Sequence, residues 1–435
     1  MTVQVRLCLL ALAGVSACRA RPAPERAPVV SARPAVPASR AGATPRARVE
    51  FATTAGDLAL SNLDSMIEGA TRALGSRTDS AATTRLVALL LLRGQVLGRI
   101  ADYERADALA RALARATPRS AEAHRVMASV HTTLHRFAAA QTELERAQRL
   151  GTGGAELAGP RAVILEATGR SDETVGFRER EAKARPDIAT LTSLAVARGA
   201  QGDITTAGSL FVRAQDGYRD PSPFPLANLY LQEGLMAERA GDLGRAQELL
   251  AAAVERVPGF APATSHLAGL LSVTGRRPRA IDLLESLVRT SDDPEHVGQL
   301  ADLLRAQGRN DEAQRRFRQA EARFEEVLRR MPEAYASHAA RFYLTWGQHR
   351  DRALSLARRN VAERPTAEAL TLAVDAFLAA GDARSACATA DRLASDRPRA
   401  IEAWATVARA FDRCGRQADA RSVLARVEAG GTGKR

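Results

Sequence analysis

His124, His131 and His135 stand seven and four residues apart, a spacing that lines three imidazoles along one helix face and could hold a divalent metal. No acid completes the arrangement that a zinc hydrolase needs, so the sequence predicts no metal site. No Gly-rich loop follows a strand to cradle phosphate, and no Ser, His and Asp gather in a recognisable order. Acid pairs such as Glu325-Glu326 read as the solvated face of a helix. The chain is therefore expected to be neither an enzyme nor the carrier of a cofactor. Phe317, Phe324, Tyr335, Phe342, Tyr343 and Trp346 are six of eighteen aromatics in the chain, gathered within thirty residues. They admit two readings: a partner-binding anchor built on Tyr335, Phe342 and Trp346, or bulk that fills an irregular junction.

Cysteine chemistry points to the envelope. Residues 1–18, "MTVQVRLCLLALAGVSAC", carry Arg6, then an apolar run to Ala17 that is too short to cross a bilayer as a helix, as a secretion signal does. Val15-Ser16-Ala17-Cys18 resembles the lipobox of bacterial lipoproteins, which implies cleavage before Cys18 and acylation of its thiol; the alternative is a plain secretory peptide. Arg19 then follows the lipid-bearing position, where Asp would favour inner-membrane retention, so the resemblance implies an outer-membrane lipoprotein facing the periplasm.

The formal charge of +12 suggests nucleic acid until it is located. Arg19 to Arg48 holds seven Arg against Glu25 alone. No helix combines clustered Arg with stacking aromatics, so no nucleic-acid partner is expected. Residues 19–50 are rich in Pro, Ala and Arg, cannot build a core and read as an extended tether.

These groups need a scaffold, and the rest of the chain supplies a periodic one. Small residues recur at Ala106, Ala140, Thr174, Ala207, Ala246, Ala280, Ala313, Ala353, Ala386 and Ala420, at intervals of 34, 34, 33, 39, 34, 33, 40, 33 and 34. Such a period marks a stacked supersecondary unit. Gly241 and its counterparts lie five residues ahead of the small residue, where Gly ends a helix. Pro118, Pro186, Pro258, Pro365 and Pro398 lie twelve residues after it and stop the next one. Each unit is thus a helix hairpin closed by a small contact.

The layout resembles the tetratricopeptide repeat family. "GDLGRA" (241–246), "RIADYERA" (99–106), and Trp404, Val407, Ala408 and Phe411 ahead of "GRQADA" (415–420) carry the resemblance. Units two and three depart from it, with His135 in place of the turn Gly and Thr174 in place of Ala. In this frame the three His occupy packing and turn positions. The resemblance implies an all-α fold: an α-solenoid of about ten hairpins over 79–430, preceded by a capping helix within 51–78, where Leu60, Leu63, Ile67, Ala70 and Leu74 keep helical spacing. The 39-residue interval holds Pro221, Pro223 and Pro225, which predict an extended loop and bend over 218–228. The 40-residue interval lacks a breaker from Asn310 to Met331 and predicts a helix longer by about two turns. Antiparallel neighbours in such a stack would bring Cys387 and Cys414 together, as a disulfide or as two separately buried thiols. After Ala420 no polar cap is evident, which leaves Leu424 and Val427 facing either solvent or a partner.

The family resemblance further implies a concave groove lined by the first helices, which binds a protein or peptide. Repeat phase alone puts Glu122, Arg125, Thr371, Asp375, Glu402 and Arg409 on that side. The function expected is a lipid-anchored interaction scaffold in the bacterial envelope, with complex assembly or secretion as its setting. The alternative is an anchored or secreted glycan or cell-wall polymer binder, which would carry rings spaced along the groove.

Overall fold

The structure, a computed structural model, describes residues 52–75, 79–347, 349–398 and 400–428. The expected signal segment, Cys18 and the tether lie outside the described residues. Among those described there are twenty-one α-helices and no strand. Helix α1 (Gly56–Leu74) stands first, and the remaining twenty helices pair into ten hairpins.

One hairpin shows how the sequence dictates the unit. Helix α10 (Phe224–Arg239) ends at Gly241, whose φ of 81° is left-handed, and Asp242 N–H closes the turn on Ala237 O at 3.0 Å. The Asp242 carboxylate then accepts the Arg245 amide at 3.0 Å and starts α11 (Leu243–Arg256). The Gly-Asp pair therefore ends one helix and begins the next. Ala246 follows at the closest approach of the two helices, fully buried, where a larger side chain would overpack the contact. Asp203 and Asp382 cap their helices in the same way, through Thr206 N–H and Ser385 N–H. His135 takes the place of Gly in unit two with φ 57°, so the backbone geometry outlasts the residue that usually permits it.

The long interval lengthens a helix, as the sequence predicts: α15 runs Asn310–Arg330, 21 residues. The Pro-rich interval is only partly a loop. Residues 217–223 are non-helical, but α10 already begins at Phe224, and Pro225 sits in its first turn. A missing N–H costs nothing there, because first-turn amides have no intrahelical acceptor. Unit three is the least regular. Its first helix α6 (Gly154–Ala167) contains Pro160, a 3₁₀ turn covers Ser171–Glu173, and α7 (Val175–Ala184) has only 10 residues. Inside it the buried Arg178 makes a two-pronged bond to Glu166, 2.9 Å on each prong, and Thr174 Oγ1 donates to the same carboxylate at 2.9 Å. A charged pair here replaces the apolar contact of the other units.

The stack coils back on itself. Helices α2 (Ser80–Leu97) and α3 (Ile100–Ala116) form the first hairpin, and the turn between them meets the loop ahead of α14 (Pro294–Ala306). Ile100 N–H and Ala101 N–H donate to the two oxygens of Asp292 at 2.5 and 3.2 Å, and Ser291 Oγ donates to Gly98 O at 2.7 Å. One hairpin later Arg136 reaches Arg330 O at 3.4 Å and Glu333 at 3.7 Å, while Arg330 pairs with Glu104 at 2.6 Å. Arg256 donates to Thr53 Oγ1 at 3.0 Å, ahead of α1. These partners lie between 191 and 226 residues apart in the chain. The turn edge of one coil thus rests on the loop edge of the next. Leu63 through Leu134 accordingly share one hydrophobic core with Val297 onward.

Candidate partner-binding surface

Packing between neighbouring hairpins decides which of the groove candidates are available. Glu122 and Arg125 lie on α4 (Ala121–Thr133), where Arg125 bonds Glu122 at 3.1 Å and reaches Glu156 of α6 at 3.4 Å, bridging two units. Asp375 of α18 (Ala367–Ala379) bridges in the same manner to Arg409 of α20 (Ile401–Arg413) at 2.6 Å. Arg409 also donates to Thr406 Oγ1 at 2.9 Å. Glu402 is exposed on α20. Thr371 is not available: its side chain is buried and its hydroxyl donates to Ala367 O at 2.7 Å, one turn back in its own helix.

The aromatic cluster is a core. Phe317 and Phe324 of α15 pack on Phe342 of α16 (Pro332–Trp346), with ring centroids 4.9 and 5.0 Å apart. A Cβ added at Gly298 would sit 2.9 Å from the Phe342 ring, so the absent side chain is what admits it. Tyr335 and Phe342 are buried and cannot serve as surface anchors. The longer α15 creates an irregular junction, and these rings fill it. Trp346 is half-buried, packed 4.4 Å from Phe317, and Arg305 lies over its ring at 4.2 Å.

The His residues are engaged in packing. His124 Nδ1 lies 2.5 Å from Glu143 Oε2 and its Nε2 lies 3.1 Å from Pro118 O, and burial lowers the pKa of both His131 and His135. Among the described residues no group of three or more His, Cys, Asp or Glu could hold a metal. Cys387 of α19 (Ala383–Ser395) and Cys414 are joined as a disulfide, their Cα atoms 6.5 Å apart.

A buried polar seam accompanies the inter-coil contact, and sequence reasoning missed it. Tyr335 donates to Asp293 at 3.2 Å, and His338 lies 2.8 Å from Glu295. Burial works against charge on Glu295, but His338 overrides it and holds the carboxyl at about 2. Burial likewise opposes charge on His338, and Glu295 raises it regardless. No local pattern announces these residues, because the surface that buries them belongs to hairpins nearly two hundred positions earlier.

Open surface remains at the C-terminal end. A depression of about 500 Å³ is lined by Asp375, Leu378, Ala379, Arg409, Asp412 and Arg413. A second, about 270 Å³, shares Arg409 and Asp412 and continues over Ala405, Ala408, Ala420 and Leu424 onto α21 (Gln417–Glu428). Charged rims with apolar floors suit the reversible docking of a polypeptide better than the enclosure of a small molecule.

Residues 237–300 match the sequence model of the tetratricopeptide repeat, a stretch that begins near the end of α10 and takes in the Gly-Asp turn at 241. No curated protein matches the chain in sequence. Among solved structures, yeast Tom70 is similar with a TM-score of 0.38 at 14% identity, over 86% of this chain and 90% of that one. The APC/C hetero-tetramer Cut9-Hcn1 gives 0.41 at 13% identity, over 87% and 79%. A human IFIT1 dimer gives 0.39 at 13% identity, over 87% and 96%. The chain is an all-α solenoid of helix hairpins, of which residues 237–300 match the tetratricopeptide repeat, a fold suited to protein–protein contact.

Proposed function

We propose that the chain is a lipid-anchored interaction scaffold of the bacterial cell envelope, held to the outer membrane through Cys18 and binding a partner protein with its C-terminal hairpins. The open shelf on α18, α20 and α21 carries this reading, because the inter-coil contact engages the turn edge of the first hairpins while the last two keep two depressions. The lipobox at residues 15–18 and the Arg-rich tether support the anchor. Cationic residues beside a lipid anchor add attraction to an anionic surface. The aromatic cluster lies in the core, which removes the ring platform that a polymer binder would use.

The test has two arms in the native host. Cys18→Ala should release the protein from the membrane fraction. In-cell crosslinking from a photoreactive residue at Glu402 should capture a protein whose yield falls when Asp375 and Arg409 are both replaced by Ala. Retention of the Cys18→Ala protein on membranes would reject the anchor, and capture unaffected by the double substitution would reject the shelf.

A further inference from the structure

We infer that the terminal face formed by α20 and α21 is a docking site for a single amphipathic helix of a partner protein, stacked where an eleventh hairpin would begin. The inference rests on reading the chain as an interaction scaffold and names the form its partner takes.

The array itself supplies the comparison. Four residues after each close-contact small residue lies a position on the second helix that the array buries. In the first nine units this position is at most 6% exposed, Ala357 and Ala390 at 0%, whereas Leu424 in the tenth is 44% exposed. Its neighbours mark the same face, with Ala405 part-exposed and Ala408 and Ala420 still buried in unit ten. Thr371, Val374, Ala386 and Ala390 of unit nine are all buried, and α20 packs against both α18 and α19. Their equivalents 34 residues on are Ala405, Ala408, Ala420 and Leu424, and these floor the second depression. The terminal face therefore continues, residue for residue, an interface used nine times within the molecule, and at each of the nine its occupant is a first helix.

Charge selects among occupants. Arg413 and Arg421 border the face, and neither has an acid within ion-pair distance among the described residues; Asp412 lines the same depression. A helix with acids along its flank answers the two guanidinium groups. A second copy of the chain meeting this face about a two-fold axis would instead oppose arginine to arginine. Residues 429–435, with Gly at 430, 431 and 433, carry no helical period.

The probe is a helix-stapled peptide with the sequence of residues 400–413, the helix that already occupies the equivalent face of unit nine. Full-length mature protein should bind it one to one and saturably, as followed by fluorescence anisotropy. Leu424→Glu, at a partly exposed position and checked for an unchanged melting profile, should weaken binding by about tenfold or more, and Leu424→Met should restore it. Leu243→Glu, at an exposed leucine of unit five, should bind within about threefold of the parent, since that residue takes no part in the terminal face. Absence of saturable binding, or equal affinity for the Leu424→Glu protein, would overturn the inference. So would concentration-dependent dimerisation in sedimentation that Leu424→Glu abolishes, because the face would then belong to a second copy. Failure of the peptide alongside successful capture from Glu402 removes this inference and leaves the scaffold reading standing.

Discussion

Replacing Asp292 by Ala tests the coiled arrangement directly. The N-cap residue of α3, Arg99, makes no side-chain cap bond, so the first amides of that helix depend on a carboxylate 192 residues away. Loss of a capping side chain costs about 1 kcal/mol. Here one ionised group serves both Ile100 and Ala101, and a hydrogen bond to a charged group contributes about 1.5–3 kcal/mol. We therefore expect a loss of roughly 2 kcal/mol, which corresponds to about thirtyfold faster opening at those amides. Hydrogen exchange followed by mass spectrometry reads this in peptides that cover residues 97–104. Asp242→Ala is the matched control, since its bond to Arg245 N–H lies within one hairpin. It should accelerate exchange around 243–246 and leave 97–104 alone. Small-angle scattering should show the Asp292→Ala protein larger than the parent and the Asp242→Ala protein unchanged. Unaltered exchange at 97–104 in the Asp292→Ala protein would refute the reasoning, because the two edges would then not touch in solution.

Further expectations follow from the same packing. Gly56→Val places a side chain where a Cβ would collide with Arg256 O, so it should expand the molecule in scattering and lower its melting midpoint. Phe317→Ala removes a buried ring from the α15–α16 junction and should cost about 3–5 kcal/mol in denaturant unfolding. Reduction of Cys387–Cys414, or their joint replacement by Ser, should destabilise the last two hairpins by up to about 3 kcal/mol, read as earlier proteolysis of α20 and α21. Burial raises the Asp302 carboxyl to about 7, with Arg305 pulling the other way. A carboxyl whose folded pKa lies above its unfolded one penalises folding progressively as pH rises from about 4 to about 7. Asp302→Asn should therefore flatten the fall in stability over that window and melt higher than the parent above pH 7.

The hairpin was legible because every part of it is local. Gly241, Asp242 and Ala246 sit within six residues, and each acts on its own turn, so spacing alone fixed the unit and its ten copies. The length of α15 was legible for the same reason, since it needs only the absence of a breaker. Pro225 misled because Pro terminates a helix from within but is welcome at its start, and sequence alone did not say on which side of the boundary it fell. Tyr335 and Phe342 left two readings open, anchor or filler, because clustering of rings alone does not say whether they face a partner or a junction. Tyr335 is buried near the loop edge where the coils meet, and repeat phase carries no information about coil pitch. Asp292, Asp293 and Glu295 escaped notice on the same account: their partners, Ile100, Tyr335 and His338, are assembled by the superhelix and not by any one unit.

The pairing of Ile100 with Asp292 works like meshed gear teeth. Excising one hairpin between these residues would slide the later cogs by a full notch and present Ile100 with whatever capped the neighbouring gap. Hairpins beyond the meshed span escape that constraint. Copy number is therefore frozen in the front of this array and negotiable only toward its tail, which inverts the usual freedom of repeat proteins to gain or shed modules anywhere along their length.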